Sequence, residues 1–186
     1  MKFQLTAIGL FAATTLPLLS VVLPGLAQVT NVSSTRNVRE VTIIVERATT
    51  EHNFDPNLIP LKDDEKPDFF TRVSIAGETR SSQPLTDRKD APINFTMTKQ
   101  LNIPAGNAIP IALKLFDADG TSGDDQADIN PGSNRDWVFY YQPSSGNLYL
   151  NDMRTVVGQV GRLITLRGNE SGKNATISFR VNHVFR

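Results

Sequence analysis

Aspartate is concentrated in one segment of the 186-residue sequence, directly after an apolar-alternating run that ends at Leu115 and Phe116. Five aspartates fall there among Gly, Ser and Asn, at positions 117, 119, 124, 125 and 128. Carboxylates this close repel one another unless a cation lies among them, and Ca²⁺ takes about six to eight oxygen ligands from carboxylates and carbonyls. Because Asp and Gly are also common turn formers, the alternative is a solvated acidic turn.

A second long segment without periodicity, from Thr49 to Asp68, is rich in Asp, Asn and Pro. Structureless loops of this length are uncommon in compact domains unless they have a function. If this segment and the one from Asp117 to Asp136 lie at the same end of the fold, their carboxylates converge on one ion. That arrangement favours calcium over a solvated turn.

Apolar and polar residues alternate with a period of two along most of the chain, and no segment has a convincing helical pattern. The alternating segments are residues 41–46, 69–76, 79–83, 93–101, 109–116, 137–141, 148–150, 162–167 and 175–184. We predict an all-β fold, an antiparallel β-sandwich of about eight strands, although a closed barrel fits the same pattern. The chain has no cysteine, so its stability must come from an ordinary core or from bound metal.

The N-terminus has the pattern of a secretory signal peptide, because a lysine precedes a long apolar run that ends in small residues. The predicted organisation is a signal peptide at residues 1–27, a flexible lead-in at 28–37 and a single domain at 38–186. Cleavage between Ala27 and Gln28 gives a secreted or periplasmic protein with no transmembrane segment. The alternative is an uncleaved membrane anchor, since the run is nearly long enough to span a bilayer. An exported protein without cysteine is more often bacterial than eukaryotic.

Composition and motifs argue against several classes of function. The formal net charge is zero, so nothing in the composition recommends nucleic acid as a partner. The sequence has no Gly-x-Ser-x-Gly, no His-Glu-x-x-His and no phosphate-binding glycine loop. The two histidines, His52 and His183, fit ordinary surface or half-buried roles. We therefore predict that the protein is not an enzyme.

Three stretches resemble the calcium-binding segments of C2 domains, in the order in which that family has them. Residues 67–73, Pro-Asp-Phe-Phe-Thr-Arg-Val, are similar to the family's Asp-Pro-Tyr-Val-Lys-Val signature. Residues 90–95, Asp-Ala-Pro-Ile-Asn-Phe, resemble its Asn-Pro-x-Trp-Asn-Glu segment. Residues 115–119, Leu-Phe-Asp-Ala-Asp, followed by Asp125, reproduce the Asp-x-Asp-x5-Asp spacing of the third calcium loop. The resemblance covers residues 41–128 and implies a C2-like fold.

The resemblance also implies calcium as the cofactor, with ligands at Asp68, Asp117, Asp119 and Asp125. A further ligand is expected from the first loop, where counting from the preceding strand selects Asp55. Counting back from Asp68 leads instead to Asp63 and Asp64, so Asp55 and Asp64 are both predicted candidates. An EF-hand is rejected, because it requires glutamate at the twelfth loop position, where this chain has Asp128.

The predicted function is that of a secreted calcium-binding C2-like module. The ion either orders the loops or attaches the protein to an anionic lipid or an envelope polysaccharide. One alternative is a metal-independent structural or adhesion sandwich with solvated acidic loops. A second alternative is a calcium-dependent carbohydrate-binding module, in which Trp137, Tyr140 and Tyr141 stack on sugar. In the first loop, Phe54 either inserts into a membrane or packs beneath the loop.

Overall fold

The computed structural model describes residues 36–54, 66–119 and 123–186, all within one compact unit, Ser34–Arg186. The strands are β1 (Asn37–Thr49), β2 (Phe69–Ile75), β3 (Glu78–Ser81), β4 (Asp90–Ala91), β5 (Phe95–Pro104), β6 (Ile109–Asp117), β7 (Asp125–Ala127), β8 (Trp137–Gln142), β9 (Asn147–Tyr149), β10 (Val156–Gln159), β11 (Ile164–Arg167) and β12 (Thr176–Phe185). The described part of the chain contains no helix long and apolar enough to cross a membrane. The predicted signal peptide and the first-loop aspartates Asp55, Asp63 and Asp64 lie outside the described residues.

The strands form two antiparallel sheets. Sheet A has the order β11-β12-β1, and both β4 and β5 pair with the other side of β1. Sheet B has the order β10-β9-β8-β6-β2-β3, and β7 pairs with the end of β6. One apolar core joins the inner faces of the two sheets. The predicted all-β antiparallel sandwich is confirmed.

The alternating sequence decides which face of each strand is buried. In β1, Val41, Ile43 and Val45 are fully buried, whereas Thr42 and Ile44 between them are only half-buried. Strand β6 repeats the pattern with buried residues at its odd-numbered positions. Each fully buried Val, Leu or Ile side chain contributes about 1.5–3 kcal/mol. A core of this kind stabilises the domain without disulfides.

The structure adds short strands to the predicted set. The segment 117–136, expected to be one long loop, is interrupted by β7, which pairs with β6 from Leu115 to Asp117. Its three residues are too few and too acidic for a period-two signal. The predicted segments 162–167 and 175–184 correspond to β11 and β12, which form a hairpin across the Gly168–Lys173 turn. Strand β1 begins at Asn37, one residue before the predicted domain boundary.

Four segments that are distant in sequence meet at one end of the sandwich. Phe69, at the start of β2, pairs with Asp117 at the end of β6, and Asp117 pairs in turn with Asp125 at the start of β7. The turn between β11 and β12 joins them, because the backbone N–H of Asp128 donates to the carbonyl of Lys173 at 2.7 Å. This end therefore gathers both acidic segments and the last turn of the chain.

The opposite end of the sandwich has a polar bridge between the sheets. Tyr141 of β8 is fully buried, and its hydroxyl is hydrogen-bonded to Nδ1 of His183 on β12. The ring of Phe185 lies 4.3 Å from that of His183. Burial lowers the pKa of His183 and raises the pKa of Tyr141. Both groups are therefore held neutral at the seam between the sheets.

Candidate functional site

We call the end of the sandwich that holds four of the predicted ligands the acidic end; these residues are Asp68, Asp117, Asp119 and Asp125. Asp117 is the last residue of β6 and is buried, with 1% of its surface exposed. Asp125 lies opposite it on β7, and Asp68 immediately precedes β2. Like charges directly opposite each other on antiparallel strands are destabilising, so this arrangement calls for a compensating positive charge.

Two of these carboxylates also hold backbone groups of the neighbouring segments. The Asp117 Oδ1 atom accepts a hydrogen bond from the backbone N–H of Asp68 at 2.5 Å. The Asp68 Oδ1 atom accepts one from the backbone N–H of Asp87 at 2.6 Å. The N–H of Ala118 donates to the Asp68 carbonyl at 3.1 Å. The start of β2 and the end of β6 are therefore fixed relative to each other by hydrogen bonds of the protein itself.

Lys173 places a positive charge inside the acidic end. It directly follows Gly172 in the β11–β12 turn, and its ammonium group forms an ion pair with Asp125. The same ammonium lies 5.1 Å from the ring centroid of Phe54 and 3.5 Å from the Phe54 carbonyl oxygen. Phe54 is only 4% exposed and packs edge-on against Phe69 at 5.6 Å, in the core.

A second cation lies beside this pair. Arg135 forms a two-point ion pair with Glu170 at 2.5 and 2.6 Å and donates to the carbonyl of Gln126 at 3.3 Å. The hydrogen bond to Glu170 raises the pKa of Arg135, and the charges of Asp125 and Asp128 add to the effect. Arg135 in turn lowers the pKa of Glu170. Two basic side chains of the protein thus lie among the acidic residues here.

Asp128 is an anchor for loops. Its side chain is 2% exposed. It accepts backbone hydrogen bonds from Asn130 at 2.9 Å and from Asn169 and Glu170 at 2.7 Å each. The neighbouring Gly168 has no room for a side chain, since a Cβ there would lie 2.0 Å from the Asp128 carbonyl oxygen. The Asp128 carboxylate therefore joins the segment that follows β7 to the β11–β12 turn.

Calcium fits the donors of the acidic end in kind, because carboxylates are the hard oxygen ligands it prefers. Within residues 36–54, 66–119 and 123–186, however, no three metal-ligating side chains converge on one point. Asp125 is paired with Lys173, while Asp119 is half-buried at the end of its segment. A complete calcium shell would therefore need the first-loop candidates Asp55 or Asp64, which lie outside the described residues.

Sequence reasoning missed Lys173, Arg135 and Glu170. Lys173 and Glu170 lie in a Gly-rich turn, where charged residues are normally solvated. Contacts between residues distant in sequence bring that turn to the acidic end, among them the isolated parallel bridge between Asp128 and Asn174. Spacing along the chain holds no signal for this contact.

Trp137 does not form the stacking surface proposed for the carbohydrate-binding alternative. It is 3% exposed and packs against Phe139 and Phe179 in the core, at ring distances of 4.8 and 6.1 Å. Tyr141 is also fully buried. Tyr140 points outward from β8 and is half-buried. Of the three aromatic residues, Tyr140 alone lies at the surface.

No protein-family model matches this chain, and no curated protein sequence matches it. Among solved structures, the chain is similar to extended synaptotagmin 2 in a calcium-bound structure of two of its C2 domains. The TM-score is 0.50 at 12% identity, and the match covers 79% of this chain and 46% of that one. At this identity the similarity concerns the fold alone. The C2-like fold implied by the sequence resemblance is confirmed.

Other solved structures match with lower TM-scores. A C2 domain of plant extended synaptotagmin 1 has a TM-score of 0.45 at 10% identity, over 80% of this chain and 98% of that one. A C2 domain protein from Ramazzottius varieornatus has a TM-score of 0.44 at 12% identity, over 80% of this chain and 92% of that one. Human GIVD cytosolic phospholipase A2 has a TM-score of 0.45 at 15% identity over 81% of this chain, which spans only 18% of the phospholipase chain.

Proposed function

We propose that this protein is an exported, non-catalytic C2-like module whose acidic end binds Ca²⁺. The proposed ligands are Asp68, Asp117, Asp119 and Asp125, completed by Asp55 or Asp64 of the first loop. Bound calcium either orders the loops at this end or attaches the module to an anionic surface. The surface would be a phospholipid headgroup layer or an acidic envelope polysaccharide.

The observation that supports calcium most strongly is the pairing of Asp117 with Asp125 on adjacent strands at one end of a C2-like sandwich. The two carboxylates lie directly opposite each other, and Asp68 is held next to Asp117 by a 2.5 Å hydrogen bond. A divalent cation removes the repulsion among such groups and supplies binding free energy that stabilises the folded state.

One observation favours the second candidate, a metal-independent structural sandwich. The ammonium group of Lys173 is already paired with Asp125, and it is held against the ring of Phe54. A protein that pairs Asp125 with its own lysine can hold that carboxylate without an ion. The two candidates differ in one respect: whether calcium displaces Lys173 from Asp125.

Thermal unfolding of the full chain in calcium, in magnesium and in chelator tests the proposal. At a calcium concentration about one hundred times the Kd, binding adds about 2.7 kcal/mol to the free energy of unfolding, which raises the thermal midpoint by several degrees. Magnesium should give a smaller rise, because it demands a tighter octahedral shell. Asp119→Asn is the matched site variant. Asp119 forms no hydrogen bond or ion pair with another described residue, so its replacement should leave the fold intact.

The calcium proposal predicts that the rise is selective for calcium and is lost in Asp119→Asn, whose midpoint in chelator equals that of the wild type. Equal midpoints in calcium and chelator would instead support the metal-independent sandwich. Attachment is tested separately, by co-sedimentation with vesicles of phosphatidylcholine containing phosphatidylglycerol. Binding to the vesicles that requires calcium supports a bridging role. Calcium stabilisation without vesicle binding supports loop ordering alone.

A further inference from the structure

We infer that the outer face of sheet B carries a second binding site, for an uncharged glycan, centred on Tyr140 and Tyr149. This site is separate from the acidic end. The two tyrosines are direct cross-strand neighbours on β8 and β9, and both point away from the core. Directly opposed residues of antiparallel strands have Cβ atoms about 5 Å apart, so the two tyrosines are neighbours on this face.

Apolar residues extend this surface on both sides. Val156 of β10 pairs with Tyr149, and Pro110 of β6 pairs with Tyr140, which gives a row of four residues across four strands. Val156 is 49% exposed, and Val138, two residues before Tyr140, is 38% exposed. These are among the largest exposures of any sizeable apolar side chain in the described part of the domain. The row is thus an apolar strip whose most accessible member is Val156.

Amide side chains border the strip and are held in place. Asn147 donates from Nδ2 to the Tyr149 hydroxyl at 3.0 Å, and Gln159 donates from Nε2 to Oδ1 of Asn147 at 3.3 Å. Gln142 lies opposite Asn147 on β8 and forms part of the same row. Fixed amides beside aromatic rings provide both donors and acceptors for hydroxyl groups, and they orient a ligand that the rings bind.

The face is uncharged at every outward position of its three outer strands: Val138, Tyr140, Gln142, Asn147, Tyr149, Val156 and Gln159. Charged residues border it at the Lys114–Asp136 pair and in the turn between β9 and β10. Charged groups make up 20% of the whole sequence, so this face is depleted of them. Anionic lipid and nucleic acid are recognised by basic side chains, and the outward positions of β8, β9 and β10 have none. A neutral ligand complements it.

The size of the face favours a glycan over a protein partner. Four strands spaced by about 4.8 Å, with about four residues each at about 3.3 Å per residue, give a face of about 250 Å². A stable protein–protein interface buries about 800 Å² on each partner. A sugar ring has apolar C–H faces and a rim of hydroxyl groups. It therefore matches aromatic rings that are bordered by amides.

Isothermal titration of the full chain with cellohexaose, xylohexaose and mannohexaose tests the inference, with oligogalacturonate as the charged comparison. We expect binding of at least one neutral hexasaccharide and weaker binding of the charged one. Tyr140→Ala and Tyr149→Ala should each weaken binding by about fivefold or more, whereas Tyr140→Phe keeps the ring and should change it less than about twofold. Thr98→Ala, on the outer face of sheet A, is the control.

Three results would overturn the inference. The first is that the wild-type protein binds none of the neutral hexasaccharides. The second is binding that survives the double variant Tyr140→Ala/Tyr149→Ala, since the site would then lie elsewhere. The third is a wild-type dimer in sedimentation that the tyrosine variants convert to a monomer, because the face would then be covered by a second copy. Glycan binding should be unchanged by chelator and by Asp119→Asn, so its failure is distinct from failure of the calcium site.

Discussion

Replacing Lys173 by methionine should strengthen calcium binding at the acidic end. In the wild type, an arriving ion must displace the ammonium group from Asp125 and from the ring of Phe54. Methionine keeps an unbranched apolar side chain of similar length, but it removes the charge. The variant therefore separates the contribution of the charge from that of the packing.

The size of the effect follows from the two contacts that are lost. The ion pair is partly solvated, with side-chain exposures of 24% for Lys173 and 43% for Asp125, and such a pair contributes about 0.5–1 kcal/mol. The cation–π contact at 5.1 Å contributes about 0.5–1 kcal/mol. Without calcium, Lys173→Met should thus destabilise the protein by about 1–2 kcal/mol. Since calcium need not break these contacts in the variant, its Kd should fall about tenfold.

Calorimetric titration of calcium into both proteins measures the ratio of their Kd values, and thermal unfolding in chelator measures the loss of stability. Lys114→Met is the matched control, since it removes the same charge from a lysine paired with Asp136 at 3.7 Å on the outer face of sheet B. It should leave the calcium Kd within about twofold. An equal Kd in the wild type and Lys173→Met would refute the competition between Lys173 and calcium.

Three further changes test the way in which the loops and the sheet seam are held. Asp128→Ala removes the acceptor of three backbone N–H groups and should lower the free energy of unfolding by about 3 kcal/mol in denaturant titration, with calcium or without it. Gly168→Ala should lower the free energy of unfolding by about 2–3 kcal/mol in the same assay, because its Cβ would collide with the Asp128 carbonyl. Gly106→Ala is the control; it has open space around it and should change the free energy of unfolding by less than about 0.5 kcal/mol. Burial lowers the pKa of His183 below its ordinary 6.5, so the unfolded chain binds the proton more readily than the folded one, and stability should fall as the pH drops below 6.5. The thermal midpoint should therefore fall less between pH 7.5 and pH 5 in His183→Phe than in the wild type. An unchanged pH dependence in the variant would contradict this assignment.

The sandwich could be predicted because its strands bury one face each. The alternation of Ile109, Ile111, Leu113 and Leu115 identifies both the strand and the face that meets the core. Short strands such as β7 were not predicted, because their alternating pattern spans too few residues. Strand β7 pairs with β6 for only three residues, which are too few to show an alternation of period two.

The candidate site could be predicted only in part, for a similar reason. The spacing of Asp117, Asp119 and Asp125 on one segment is visible in the sequence, as is the aspartate before β2. Lys173 is 48 residues from its partner Asp125, in a turn whose composition indicates solvation. The aromatic type of Trp137 is visible in the sequence as well, but its inward direction is fixed by its register opposite Leu113.

Direct titration of calcium into the full chain, with wild type and Asp119→Asn in parallel, tests the central claim that the acidic end binds the ion. The proposal predicts saturable binding by the wild type, with a smaller response to magnesium, and binding weakened by at least about tenfold in Asp119→Asn. Absence of calcium binding in the wild type, with Lys173→Met equally silent, would contradict it. The acidic end would then be a structural junction closed by Lys173 and Arg135.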